Sequence, residues 1–373
     1  MAQPRVSRGW GGAVRKAIWR VALSVFLLLA CSGVGLAVPA APDLHTLHQP
    51  DGSSFEARRW GDEWLHGWET ADGYTIVLAP GSQTWTYAER KPEGALVASA
   101  SVVGRDAPPQ GVGRHLRPAG AVREKAHAMQ VSAMAVAGTM AVPATGTANV
   151  PVILVNFSDT ATTYTTANFT NLLFGSGTWS MRDYYKEVSY NKFTVSAGPG
   201  GVAGWFRASQ PHDYYGSNNA DGDDVWPGDL VYEAVQAADA AGFNFAPYDS
   251  DGNCYVDVVN VIHQGAGEEV SDSPASNIWS HSWSLSGAQY YGRSHYGVYT
   301  TNDVCPAGGY VKVNAYVVQP EALGGGMITV GVFAHEFGHA LGLPDLYDTD
   351  DSSEGVGQWS LMGAGSWCGV SRG

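Results

Sequence analysis

Charge is scarce in this chain, and basic charge is scarcer still. Of its 373 residues 15% are charged, with 21 Lys and Arg against 35 Asp and Glu and a formal charge of -14 at pH 7. The deficit is concentrated, since residues 149–373 hold seven basic and twenty-four acidic groups. A surface of that sign repels phosphate backbones, which argues against nucleic acid as a partner and suits a bound cation. Cysteine is also sparse, four in all, and no Cys-x-x-Cys spacing occurs. A thiolate zinc motif and a dithiol redox motif are thereby excluded. Cys254, Cys305 and Cys368 are compatible with one disulfide and one cysteine left over, and spacing does not choose the pair. Long apolar runs are lacking too. The stretch from Val21 to Ala30 is about ten residues, too short for a permanent membrane span. What the chain does have is 45% hydrophobic residues, 47 Gly, 13 Trp and 18 Tyr. That is enough apolar material for one large or two ordinary globular domains, loop-rich in the manner of secreted enzymes.

Composition divides the chain into four parts. Arg15, Lys16 and Arg20 precede the apolar run, and the small residues Ala37 and Ala40 follow it. Residues 1–40 are therefore expected to be a secretory signal peptide and the protein to be secreted. Leu28-Leu29-Ala30-Cys31 is a loose lipobox, and the alternative is a lipid anchor through Cys31, the only route by which a membrane would become a partner. Residues 41–118 contain short aromatic runs at Phe55 to Arg59, Trp64 to Glu69, Tyr74 to Leu78 and Trp85 to Glu89, separated by Asp-Gly and Pro-Gly turns, and predict a small β-rich unit. Residues 119–148, rich in Ala, Val, Met, Thr and Gly without turn signals, read as a mobile linker open to proteolysis. From residue 149 to 373 strands are predicted at Val152 to Phe157, Tyr255 to His263 and Tyr310 to Val318, with helices at Met181 to Val188 and Asp229 to Val235. The class is α+β, with a mixed sheet.

The informative segment is His335-Glu336-Phe337-Gly338-His339-Ala340-Leu341-Gly342-Leu343-Pro344-Asp345. Two His four residues apart share one face of a helix, so both imidazoles can reach a single metal ion. Glu336, beside them, is placed to take a proton from water. Gly342 permits a left-handed turn after the helix, which can bring Asp345 back to the same ion. A charged stripe on an exposed helix is the alternative, and the added Gly342 and Asp345 disfavour it. Seventeen residues beyond Asp345, Met362 stands in the Gly-rich segment Trp359-Ser360-Leu361-Met362-Gly363-Ala364-Gly365, the position of the methionine turn that floors a metzincin site.

These residues resemble the immune inhibitor A family of secreted bacterial metallopeptidases (M6), in which Asp replaces the usual third His ligand. His335, Glu336, His339 and Asp345 match its motif position by position, and Leu343-Pro344-Asp345-Leu346-Tyr347-Asp348 is similar to its continuation. Gln49-Pro50-Asp51-Gly52 and Glu69-Thr70-Ala71-Asp72-Gly73-Tyr74 resemble the family's propeptide, and Arg182 to Tyr190 and Ile278-Trp279-Ser280-His281 its catalytic domain. The resemblance implies a metzincin-like zinc peptidase domain over residues 149–373, with residues 41–118 as its own propeptide. The family normally continues further than eleven residues past Met362, so the domain is expected to be C-terminally truncated.

A third signal is Asp249-Ser250-Asp251-Gly252-Asn253-Cys254-Tyr255-Val256-Asp257, where Asp249, Asp251, Asn253 and Asp257 offer oxygen atoms suited to Ca²⁺. The spacing is not that of an EF-hand, and an Asp-rich turn without an ion is the alternative. Together the motifs predict a zinc-dependent endopeptidase made as a zymogen, with Zn²⁺ on His335, His339 and Asp345, Glu336 as general base and protein substrates. A catalytically inactive calcium-binding or adhesive module is the alternative, but it would not need an intact Glu336. Without a cysteine between Cys31 and Cys254, latency cannot come from a pro-region thiolate. Steric blocking, or a ligand such as His115 or His127, is left.

Overall fold

A computed structural model of the chain describes residues 38–137, 142–219, 222–270, 276–323, 325–348, 353 and 355–368. Cys31 and nearly all of the expected signal peptide lie outside the described residues.

The N-terminal part is a six-stranded antiparallel sheet laid down in chain order, with β1 (His45–His48), β2 (Ser54–Gly61), β3 (His66–Thr70), β4 (Thr75–Ala79), β5 (Thr84–Arg90) and β6 (Leu96–Val102). Its turns fall where glycine takes positive φ, at Gly52 and Gly73. Leu47, Ala57, Trp68, Ile76, Trp85, Tyr87 and Val103 form its own small core. Each of the four strands expected here is present with ends shifted by one to two residues, and β1 and β6 are added at the two edges.

The segment expected to be a linker contains regular structure. Ala121–Ala137 is a helix, and Gly146–Asn149 (β7) pairs in parallel with Phe193–Ser196 (β9). Alanine is the strongest helix former, so a run without turn markers can be a helix as readily as a tether. Ala126 and Met129 are buried with Trp64 in the main core, which holds this helix to the body of the protein.

The main sheet is built from β8 (Val152–Asn156), β10 (Val202–Arg207), β11 (Val259–Ala266), β12 (His281–Ser284) and β15 (Ala315–Leu323), in the order β10-β8-β11-β15-β12. The first four are parallel and β12 is antiparallel, giving the mixed sheet expected. A short β16 (Gly326–Met327) folds back to pair antiparallel with the end of β15, and β13 (Tyr299–Val304) and β14 (Tyr310–Val313) form a separate hairpin. The expected strand Tyr310 to Val318 is thus divided at Asn314, whose backbone and side-chain oxygens accept from Leu285 N and Ser286 N.

Alternation along the strands creates two cores, because successive side chains face opposite sides of a sheet. Ile153, Val155, Val261, Tyr316 and Val318 face the helix Pro227–Ala240. Val152, Leu154, Ile262 and Val317 face the opposite layer, formed by the helices Thr166–Phe174, Met181–Val188 and Val330–Ala340. That last helix carries the His-Glu-x-x-His motif. Among the described residues no helix is long and apolar enough to cross a membrane.

Candidate active site

The motif helix is fixed by what it buries. Val332, Phe333, Phe337 and Ala340 pack into the core beneath the sheet, and His335, Glu336 and His339 are themselves fully buried. The Tyr185 hydroxyl donates to Ala334 O and ties this helix to Met181–Val188. Two glycines allow close approach: a Cβ at Gly331 would overlap the Ser366 carbonyl oxygen, and one at Gly338 would lie 2.7 Å from Met362 Sδ. After Leu341, Gly342 adopts φ +83° and Leu343 N returns to Gly338 O, the six-to-one bond of a helix-ending reversal. This turn carries Asp345 back beneath the two imidazoles.

The result is a convergent donor set. His335 Nε2 lies 3.0 Å and His339 Nε2 3.6 Å from Asp345 Oδ1. His335 Nδ1 contacts Leu361 O at 2.7 Å, and His339 Nδ1 contacts Leu343 O at 2.9 Å. A carbonyl only accepts, so both Nδ1 atoms carry the proton and both Nε2 lone pairs point inward. Those two Nε2 atoms are buried and make no hydrogen bond. Leaving such atoms unsatisfied is costly, and a cation among them removes the cost, so the residues fit a metal ion. Burial holds His339 well below the usual imidazole range, in the neutral form a ligand requires. Met362 is buried directly under Gly338, between the two His in sequence, and its carbonyl accepts from Leu346 N at 2.6 Å.

Glu336 faces the same space. Burial pushes its carboxyl up to about 8, with Asp345 and Glu269 adding to the rise and His335 opposing it. The Tyr347 hydroxyl reaches Asp345 Oδ2 and Asp62 Oδ2, both at 3.2 Å.

Several neighbours were not legible from the motif. Val38 N donates to Glu336 Oε1 at 3.1 Å, and Val38 O accepts from Trp279 Nε1 at 3.0 Å. Ala41 N donates to Glu269 O and Trp367 Nε1 to Pro39 O, so residues 38–41 lie across the site. These are residues that the expected signal peptide, ending at 40, partly included. Glu63 is buried without a hydrogen bond to either carboxyl oxygen, and after burial itself the charges of Asp62, Glu336 and Asp345 push it furthest up. His115 contacts Glu69 and His127 is exposed, so neither belongs to the His335, His339 and Asp345 cluster. A loop of Asp and Glu between two strands at 62–63 was the one available sign.

Asp249, Asp251 and Asp257 bring carboxyl oxygens within 4.8 Å of one another. Backbone N–H groups already approach them, from Asn253 and Cys254 to Asp249, from Asn253 to Asp251 and from Ser250 to Asp257. Asn253 Oδ1 accepts from Tyr255 N, and its amide donates to Asp251. A disulfide joins Cys254 to Cys305, clamping this loop to the β13–β14 hairpin, and Cys368 is the free thiol among the described residues.

Two His and one Asp converge on a point with a glutamate alongside, a donor set that suits a metal ion. Residues 147–373 match the model of the immune inhibitor A peptidase M6 catalytic domain, and the chain belongs to this metallopeptidase family. It is similar to the pre-pro-metalloprotease PrtV of Vibrio cholerae serotype O1 (strain M66-2), 37% identical over 210 residues, covering 51% of this chain and 21% of that protein. It is also similar to immune inhibitor A of Bacillus thuringiensis subsp. alesti, 33% identical over 217 residues, 52% of this chain and 30% of that protein. The matched region thus spans less than a third of either relative's length.

Proposed function

We propose that the protein is a secreted zinc endopeptidase that hydrolyses peptide bonds in proteins and is made as a zymogen. The observation that carries this reading is the convergence of His335 Nε2, His339 Nε2 and Asp345 Oδ1, with each imidazole oriented by a backbone carbonyl. Bound there, zinc supplies Lewis acidity toward a peptide carbonyl and toward water. Glu336 accepts the proton of the attacking water and delivers it to the leaving amine nitrogen. Tyr347 holds Asp345 in orientation through its hydroxyl. Met362 provides the apolar floor of a metzincin-like domain over residues 149–373. The test is the secreted protein as recovered from culture medium, with bound metal quantified by mass spectrometry and casein hydrolysis followed beside Glu336→Ala. Zinc near one equivalent with hydrolysis lost in the variant supports the reading; hydrolysis that survives the substitution refutes it.

The zymogen reading rests on residues 38–41 and the N-terminal sheet lying against the site. Val38 N–H occupies the carboxylate that must receive a proton, and substrate cannot enter until the segment leaves. In this reading residues 38–40 belong with residues 41–118 to the covering propeptide, because Val38 N lies on Glu336; the segment 119–148 joins it to the peptidase domain and includes the place of cutting. The pre-pro form named for the Vibrio relative is consistent with this order. N-terminal sequencing during maturation checks it, since casein hydrolysis should appear only as residues 38–118 are lost. Full activity of the uncut chain would refute latency. Ca²⁺ on Asp249, Asp251 and Asp257 is proposed as a structural ion of the disulfide-clamped loop.

A further inference from the structure

We infer that the domain carries an acidic subsite beside the metal centre that receives the side chain of an arginine or lysine in the substrate, and that Arg59 fills it in the intact chain. This rests on the peptidase reading above.

The subsite is built by Asp224, Glu268, Asn218 and Trp279. Arg59, from β2 of the N-terminal sheet, donates from Nη1 to Glu268 Oε1 at 2.8 Å, and both side chains are almost wholly buried. Its guanidinium carbon lies 6.0 Å from the Trp279 ring centroid and 4.6 Å from that of Trp68. Asn218 Nδ2 donates to the same Glu268 oxygen at 3.0 Å. Glu268 Oε2 and Asp224 Oδ1 are buried and have no hydrogen-bond partner. The pocket thus presents acceptor capacity beyond what its present neighbours use. Asp223, next along the chain, differs in being paired with Arg293 and lying 3.5 Å from Lys125.

The side chains of the N-terminal sheet that approach Glu268 are Arg59, in an ion pair, and His66, whose Nε2 lies 3.7 Å away. Departure of that sheet takes Arg59 and His66 away from Glu268 and leaves the two carboxylates beside the Trp279 indole. Two neighbouring carboxylates with unused acceptor oxygens favour an incoming cation that can hydrogen-bond to them. Guanidinium answers the geometry best, since it can donate two parallel bonds and lie against an aromatic face.

The pocket is one residue from the chemistry. Trp279 N donates to Asp224 Oδ2 at 3.1 Å, its indole donates to Val38 O, and Val38 N donates to Glu336. A chain lying where Val38 lies therefore has a side chain within reach of Trp279 and the acidic pair.

The experiment uses the mature enzyme from culture medium and a set of peptides in which arginine is placed at each position around one scissile bond. Each peptide is paired with one carrying citrulline, the neutral near-isostere. At one position arginine should raise kcat/KM about tenfold or more over citrulline, and Glu268→Gln should bring that ratio toward one, with Asp224→Asn as the second variant. Equal rates for arginine and citrulline at every position, with casein still cleaved, overturn the subsite and leave the peptidase reading standing. Failure to cleave casein and all peptides overturns the peptidase reading and the subsite with it.

Discussion

Two carboxylate-bearing clusters among the described residues satisfy their charges in opposite ways. At His335, His339 and Asp345 every ligand side chain is fully buried, and the backbone carbonyls occupy the outer nitrogens only, leaving the inner atoms directed at one point. In the loop of Asp249, Asp251 and Asp257 burial is partial and the carboxyl oxygens already receive backbone N–H groups. Burial forces the first cluster to find a cation, whereas solvent and local turns let the second stand with or without one. The lesson is that donor count alone does not define a metal site. What distinguishes the first cluster is the absence of any other partner for its two Nε2 atoms.

The comparison predicts its largest effects at the buried centre. Glu336→Ala should lower casein hydrolysis by about 10²–10⁴-fold, the range for losing a general base, with zinc content unchanged by mass spectrometry. Loss of metal in this variant would move Glu336 into the ligand set. Asp345→Ala should weaken zinc retention by more than about 100-fold, exceeding the effect of deleting an outer partner, because it removes a donor atom itself. Dialysis against graded chelator followed by metal analysis measures this, and retention equal to the parent would exclude Asp345 as a ligand.

The Asp loop should respond more weakly. Calcium at about 100 times its dissociation constant should add about 2.7 kcal/mol to stability, read as a rise in Tm, and Asp251→Asn should remove the rise without affecting zinc content. A Tm insensitive to calcium in the parent would mean that the backbone N–H groups alone stabilise the loop.

The motif made much of the site legible because its chemistry is local. His335 to Asp345 spans one helix and one turn, so the spacing of His, Glu, Gly and Asp describes the geometry almost completely, and Met362 follows close behind. Val38, Glu63, Arg59 and Trp279 were not legible for the converse reason. Val38 meets Glu336 across 298 residues of sequence, and no periodicity encodes such a pairing. The four inner N-terminal strands were legible from aromatic runs and Asp-Gly turns, whereas the edge strands His45–His48 and Leu96–Val102 were not. The helix Ala121–Ala137 was not, because alanine-rich sequence lacks the polar and apolar contrast on which helical patterns depend. Its buried side chains, Ala126 and Met129, become meaningful only once Trp64 is seen against them.

The smallest effect separates Gly331, in the motif helix, from Gly342, in the turn that follows it. At Gly331 an added Cβ would collide with the backbone of Ser366, which cannot rotate away, so Gly331→Ala should shift the helix and cost metal affinity as well as stability. At Gly342 nothing lies within 4 Å of the added carbon, and the only penalty is φ +83°. Left-handed backbone costs an L-residue about 1–2 kcal/mol. Gly342→Ala should therefore lower Tm modestly in thermal unfolding and leave zinc stoichiometry intact, because the carbonyl of Leu343 and the carboxylate of Asp345 need not move. If zinc is lost along with stability, the turn is positioning the third ligand under strain, and the independence of backbone conformation from ligand geometry assumed at Gly342 is wrong.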